Sequence, residues 1–169
     1  SRDRGAFGGA VYADIVDMQD CVVSGNTVLG AGAAGGGVYS VGGAGQPGNT
    51  SVIDRSAITG NRISGLFVYG GGVYMSNGYM EIRSCTVVEN ETYGVPRIDS
   101  LGRANLAGGI AATVGNAHAT EHLILAHSIV AGNVVQPRGG ARYAHDVFTG
   151  SPFYIPQRWL QPDRGARLQ

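Results

Sequence analysis

The stretch Met18-Gln-Asp-Cys-Val-Val-Ser-Gly-Asn26 decides the fold, because the chain repeats its pattern at 53–61, 82–90 and 125–133. Every copy ends in Asn, carries a β-branched aliphatic residue three places earlier and a small residue five places earlier. A fixed pattern that returns every few tens of residues is typical of a repeat architecture. The sequence therefore predicts that the copies stack on one another.

Stacked copies place equivalent side chains in columns that run along the stack. The final residues of the copies are predicted to form a structural Asn ladder, in which side-chain amides hydrogen-bond from one copy to the next. The aliphatic residues three places earlier are predicted to form a core ladder. The two columns are Asn26, Asn61, Asn90 and Asn133, and Val23, Ile58, Val87 and Val130.

A second element opens each copy: Gly-Gly followed by an aliphatic residue and Tyr, at 8–12, 36–39 and 71–74, and in a weakened form at 108–111. Apolar residues inside a copy alternate with period two, as Met80 and Ile82 do, which indicates short strands and not helices. The steps from Asn to Asn are 35, 29 and 43 residues, so constant strands are joined by connections of variable length. We expect an all-β solenoid.

Composition limits the function classes. The 169 residues suffice for one domain, and 29 of them are Gly, which suits many tight turns. The 12 basic and 12 acidic residues cancel, so no electrostatic footprint for nucleic acid is present. No run of 18 apolar residues occurs, so no membrane insertion is expected.

The repeats are predicted to occupy residues 1–148, and the proline- and aromatic-rich residues 149–169 to form a C-terminal cap or docking tail. The longest polar and aromatic connection, 91–106, is a second candidate for contact with a partner, because long loops in compact domains are usually functional or disordered. The possible partner-contact residues are Tyr93, Arg97, Arg103, Phe153, Tyr154 and Trp159.

Cys21 and Cys85 occupy the same repeat position two copies apart, which corresponds to roughly 9.6 Å between stacked strands. A disulfide cannot span that distance. Both residues are therefore predicted to be small buried side chains.

Catalytic and metal chemistry finds little support in the pattern. Asp20 and Arg55 both stand six places before their Asn, and stacking brings them together as a surface ion pair. His118, His122 and His127 do not follow the His-Glu-x-x-His zinc pattern. No catalytic residue, metal ligand or cofactor is predicted.

The Gly-Gly-Ala-Val-Tyr element followed by an aliphatic-x-x-Asn element resembles the polymorphic outer membrane protein repeat and, more broadly, bacterial right-handed parallel β-helix repeat proteins. The resemblance covers about residues 8–133. It implies a right-handed parallel β-helix of about four to five coils, with three sheets around a solid core, usually exported and often part of a cell surface or adhesin.

We therefore expect a non-catalytic, extracellular structural or adhesin-like subunit. Its first Gly-Gly element follows only seven residues, so its N-terminal end is predicted to abut another subunit, another copy or a missing N-terminal part, since open sheet ends need a cover. No signal peptide is visible, so the chain is expected to be a processed form or a fragment.

The alternative function is that of a polysaccharide-active lyase or hydrolase, or a carbohydrate-binding remnant of one. That reading keeps carbohydrate open as a partner.

Overall fold

The computed structural model describes residues 5–42, 50–95, 107–113 and 122–149. These residues contain short β-strands and no helix. The strands are β1 (Ala6–Phe7), β2 (Val11–Ala13), β3 (Asp17–Gln19), β4 (Val22–Ser24), β5 (Thr27–Leu29), β6 (Gly32–Ala34), β7 (Val38–Ser40), β8 (Thr50–Asp54), β9 (Ala57–Thr59), β10 (Arg62–Tyr69), β11 (Val73–Met75), β12 (Tyr79–Arg83), β13 (Thr86–Val88), β14 (Glu91–Val95), β15 (Ile110–Ala112), β16 (His122–Ala126), β17 (Ile129–Ala131), β18 (Val134–Pro137), β19 (Tyr143–Ala144) and β20 (Val147–Thr149).

The strands form four sheets. Sheet A has the order β1-β6-β10-β14-β18-β19, with β5 also paired to β10; sheet B is β2-β7-β11-β15-β20; sheet C is β3-β8-β12-β16; and sheet D is β4-β9-β13-β17. Neighbouring strands are parallel, except that β19 is antiparallel to β18. The chain is thus all-β with parallel sheets, and each of the four copies contributes one strand to sheets B, C and D.

The register keeps equivalent residues of successive copies opposite one another. In sheet D, Val23 pairs with Ile58, Ile58 with Val87 and Val87 with Val130. This register persists although the steps between copies differ in length, so the variable connections do not disturb the pairing. The predicted period-two strands and their alignment are therefore present in the described residues.

A left-handed backbone bend divides sheet C from sheet D, which is why four sheets are found where the resemblance implies three. In each copy the residue six places before the Asn has a positive φ, between 43° and 54°. None of these residues is Gly, although positive φ is uncommon for other residues. The four bend residues are Asp20, Arg55, Ser84 and His127.

The core lies between the sheets and consists of aliphatic side chains that alternate with outward residues along each strand. Sheets B, C and D enclose the larger cluster, which includes Ile53, Met80 and Ile82, all fully buried. A second, smaller cluster under sheet A includes Ile63 and Val68. Burying aliphatic side chains in this way is the main stabilising contribution to the fold, at about 1.5–3 kcal/mol each.

The parallel pattern changes after the fourth copy. Strand β19 turns back on β18, so that Tyr143 lies opposite Val135 and Ala144 opposite Val134. The chain then returns to sheet B as β20, beside β15. The predicted cap or docking tail, apart from Thr149 at the end of β20, lies outside the described residues.

Candidate functional site

The four repeated Asn residues lie in one column, joined by side-chain hydrogen bonds. The Nδ2 of Asn26 donates to the Oδ1 of Asn61 at 2.8 Å, and the same bond joins Asn61 to Asn90 and Asn90 to Asn133, both at 2.9 Å. Each Oδ1 also accepts the backbone N–H of the preceding Asn, at 3.0–3.1 Å. The column therefore continues through all four copies.

The amides of the column also satisfy backbone groups inside the fold. The Nδ2 of Asn61 donates to the carbonyl of Val23, and the Nδ2 of Asn90 donates to the carbonyl of Ile58. Asn61, Asn90 and Asn133 are fully buried. Because buried polar groups need partners, these neutral amides have a structural role and no free group for chemistry.

Asp146 ends the column, which the sequence pattern did not reveal. Its Oδ1 accepts both the backbone N–H and the Nδ2 of Asn133, each at 2.9 Å. Asp146 thus occupies the place of a fifth Asn. A carboxylate has no N–H group, so it accepts from the column and cannot pass the hydrogen bond on.

A second column, five places before the Asn residues, carries hydroxyl and thiol groups. The backbone N–H of Cys21 donates to the Oγ of Ser56, that of Ser56 to the Sγ of Cys85, and that of Cys85 to the Oγ of Ser128. Both cysteines are free thiols, as their spacing predicts. Cys85 is buried as predicted, but the prediction is wrong for Cys21, which is half-buried. Burial raises the pKa of the Cys85 thiol.

The aliphatic column packs beside the Asn column. Val23, Ile58 and Val87 are buried in the core, and Val130 is half-buried against it. Val23 and Val130 lie on the two edge strands of sheet D, β4 and β17, and only Val130 is half-buried.

The left-handed bends bring Asp20 and Arg55 together on the surface. The Nε of Arg55 donates to Oδ1 of Asp20 and its Nη2 to Oδ2, both at 2.8 Å, and Asp54 accepts from the same guanidinium at 2.7 Å. The hydrogen bond from Arg55 lowers the pKa of Asp20. Both partners are exposed, so this is the surface ion pair that the sequence predicts, with its charges already paired.

An aromatic row follows sheet B. The ring centroids of Tyr12, Tyr39 and Tyr74 lie 5.1 and 5.0 Å apart along the row. Phe7 lies 5.4 Å from Tyr39, and Tyr69 lies 5.1 Å from Tyr74. Tyr74 is buried, whereas Tyr12 is exposed. Neighbouring rings contact one another in tilted, edge-to-face or stacked arrangements, which stabilises this side of sheet B.

Of the predicted partner-contact residues, the structure describes Tyr93, which lines a surface groove of about 420 Å³. Tyr93 lies half-buried on β14, so the prediction of a loop over 91–106 is wrong for residues 91–95, which pair with β10 and β18 in sheet A. The others fall outside the described residues: Arg97, Arg103, Phe153, Tyr154 and Trp159. The groove was not predicted, because it runs across strands of different copies.

Metal-binding side chains are dispersed in the described part of the chain, where no group of three or more His, Cys, Asp or Glu residues converges. In the same residues, no helix is long and apolar enough to cross a membrane. No protein-family model, no curated protein and no solved structure matches this chain.

Proposed function

We propose that the chain is a right-handed parallel β-helix, similar to the polymorphic outer membrane protein repeat, and that it serves as a non-catalytic structural or adhesin-like subunit outside the cell. The observation that carries this proposal is the column of amides from Asn26 to Asp146. A polar side chain that hydrogen-bonds to its equivalent in the next copy stabilises the pairing of the two copies.

The column has a direction, which supports assembly through one end. At the last copy Asp146 accepts without donating further. At the first copy no described residue donates to the Oδ1 of Asn26, so a further coil could extend the column there by supplying N–H donors. Strands β3 and β4 are edge strands of sheets C and D among the described residues, and such edges pair readily with another chain.

The first copy also exposes large apolar side chains. Val22, on the edge strand β4, is 72% exposed, and Ile15 is also exposed. Exposed apolar side chains next to an unpaired sheet edge suit a contact with another protein. We propose that neighbouring subunits cover this end.

Light scattering on the full chain, with and without calcium, tests the proposal. We expect oligomers that form equally in calcium and in EDTA. Val22→Lys should reduce them, because a charge at the contact opposes burial. Thr86→Lys, in the same column of sheet D but in the third copy, is the matched control and should leave assembly unchanged. A monomer at all concentrations contradicts the proposal.

The second candidate, a polysaccharide-active enzyme or a remnant of one, requires carboxylates that converge on a substrate. A monomer stabilised by calcium, with release of reducing ends from an acidic polysaccharide, would favour it.

A further inference from the structure

A groove crosses the outer face of sheet A and joins all four copies. Leu29, Ser64 and Tyr93 lie opposite one another on β5, β10 and β14, and Arg138 follows β18 in the fourth copy. Neighbouring strands are separated by about 4.8 Å, so the groove extends roughly 14 Å over these three steps. A groove of this shape suits an extended ligand more than a compact one.

The groove lies where the register of sheet A shifts, and Gly30, Ala31 and Gly65 are among the residues that line it. The pairing of β10 with β14 shifts between Gly65 and Phe67, which leaves Leu66 out of register. A Cβ at Gly65 would collide with the carbonyl oxygen of Gly30, and one at Gly94 with that of Gly65. These two glycines are therefore required for the close approach of successive copies.

The charge around the groove is positive. Arg138 is exposed and forms no ion pair with any described residue, and no acidic side chain lines the groove. The one acid in the strands of sheet A is Glu91, which already lies 3.6 Å from Arg62 and 4.0 Å from Arg142. A guanidinium at the wall of a groove favours a carboxylate, which it can hold with two hydrogen bonds.

The other lining groups favour a saccharide over an acidic peptide. The backbone at the groove floor is committed to pairing between copies: Gly30 donates to Ser64, Phe67 to Ala31, and Arg138 to Gly94. A peptide could not add a strand to this face, which is the usual way in which sheets bind extended peptides. A sugar instead needs aromatic and hydroxyl groups, and the side chains of Tyr93 and Ser64 line the groove.

We infer that this groove binds an acidic oligosaccharide, with the ring of Tyr93 against a sugar face and Arg138 on a carboxylate. The site goes beyond the proposed structural role and does not depend on assembly. Its volume of about 420 Å³ lies within the range of small-molecule sites, about 300–1,000 Å³.

Calorimetric titration of the full chain at low ionic strength tests the inference, with oligogalacturonate as the probe. We expect binding that weakens as salt is added. Arg138→Gln should weaken it about tenfold or more, because a charge-assisted hydrogen bond is lost. Tyr93→Ala should weaken it about fivefold or more, and Tyr93→Phe should retain most of it, because the ring face remains.

The controls separate this site from general attraction to charge. Arg83→Gln removes another exposed arginine, which lies on sheet C and is 3.5 Å from Glu81. Tyr12→Ala removes an exposed ring from sheet B, and both variants should bind like the parent chain. Equal affinity for the fully methyl-esterified, neutral oligosaccharide would overturn the inference. So would equal affinity for a glutamate oligomer of the same charge, or equal losses in the control variants.

Discussion

Replacing Asn90 with Ala removes the most connected side chain of the Asn column. Asn90 is fully buried, and its side chain makes five hydrogen bonds. The two hydrogens of Nδ2 are shared among the carbonyls of Ile58 and Val88 and the Oδ1 of Asn133, and the Oδ1 accepts two N–H groups of Asn61. Alanine provides none of these groups, so several buried polar atoms lose their partners.

The expected loss in free energy of unfolding follows from the number of hydrogen bonds that the Asn90 side chain makes. At a net value of about 1 kcal/mol for each hydrogen bond, Asn90→Ala should lower the free energy of unfolding by about 4–6 kcal/mol. A domain of this size has a stability of about 5–15 kcal/mol, so the variant is expected to be near the limit of folding. The matched variant is Asn26→Ala at the open end of the column. Its half-buried side chain makes two hydrogen bonds, and the expected loss is about 1–2 kcal/mol.

Urea unfolding followed by circular dichroism measures both losses, with the slope of the transition as a check that the unfolded states are comparable. We expect the loss in free energy of unfolding to be much larger at the central Asn90 than at the terminal Asn26. A loss below about 1 kcal/mol for Asn90→Ala, or equal losses for the two variants, would refute it.

Three further predictions concern the end of the column, the ion pair and the thiols. Asp146→Ala should lower the free energy of unfolding by about 2–3 kcal/mol, whereas Asp146→Asn should lose less than about 1 kcal/mol; urea unfolding distinguishes them. The carboxyl pKa of Asp20, followed by NMR, should lie below its ordinary value and rise in Arg55→Ala. The pair's contribution to stability is present above the unfolded pKa of about 3.9 and is lost as the pH falls through the lowered folded value. At pH 8 Cys21 should react with a disulfide reagent before Cys85, because burial raises the pKa of Cys85; equal rates would contradict this.

The strands and columns can be predicted from the sequence because each member stands at a fixed number of residues before the final Asn of its copy. Val23 and Asn26 recur at fixed places in each copy, and parallel pairing in register brings such residues together. The Asp20–Arg55 pair is predictable for the same reason.

The remaining features depend on places where the pattern breaks. Asp146 stands 13 residues after Asn133, outside any repeat, so no offset identifies it as the end of the column. The left-handed bend at Ser84 has no glycine to mark it. The groove beside Tyr93 depends on the register shift after Gly65, which a period-two pattern does not encode.

The constancy of register has a consequence for how such a chain can change over generations. The steps between successive Asn residues are 35, 29 and 43, yet the strands on either side of 43–49 keep their alignment, Tyr39 with Tyr74 and Thr50 with Tyr79. Because the register is kept on both sides of 43–49, a change in the length of that connection leaves the pairing of these strands unchanged, and added length costs little loop-closure entropy. New surface can therefore be added at this connection without a change in the sheets. A single-residue insertion inside a strand would instead move the inward-facing side chains that follow it to the outer face of the sheet.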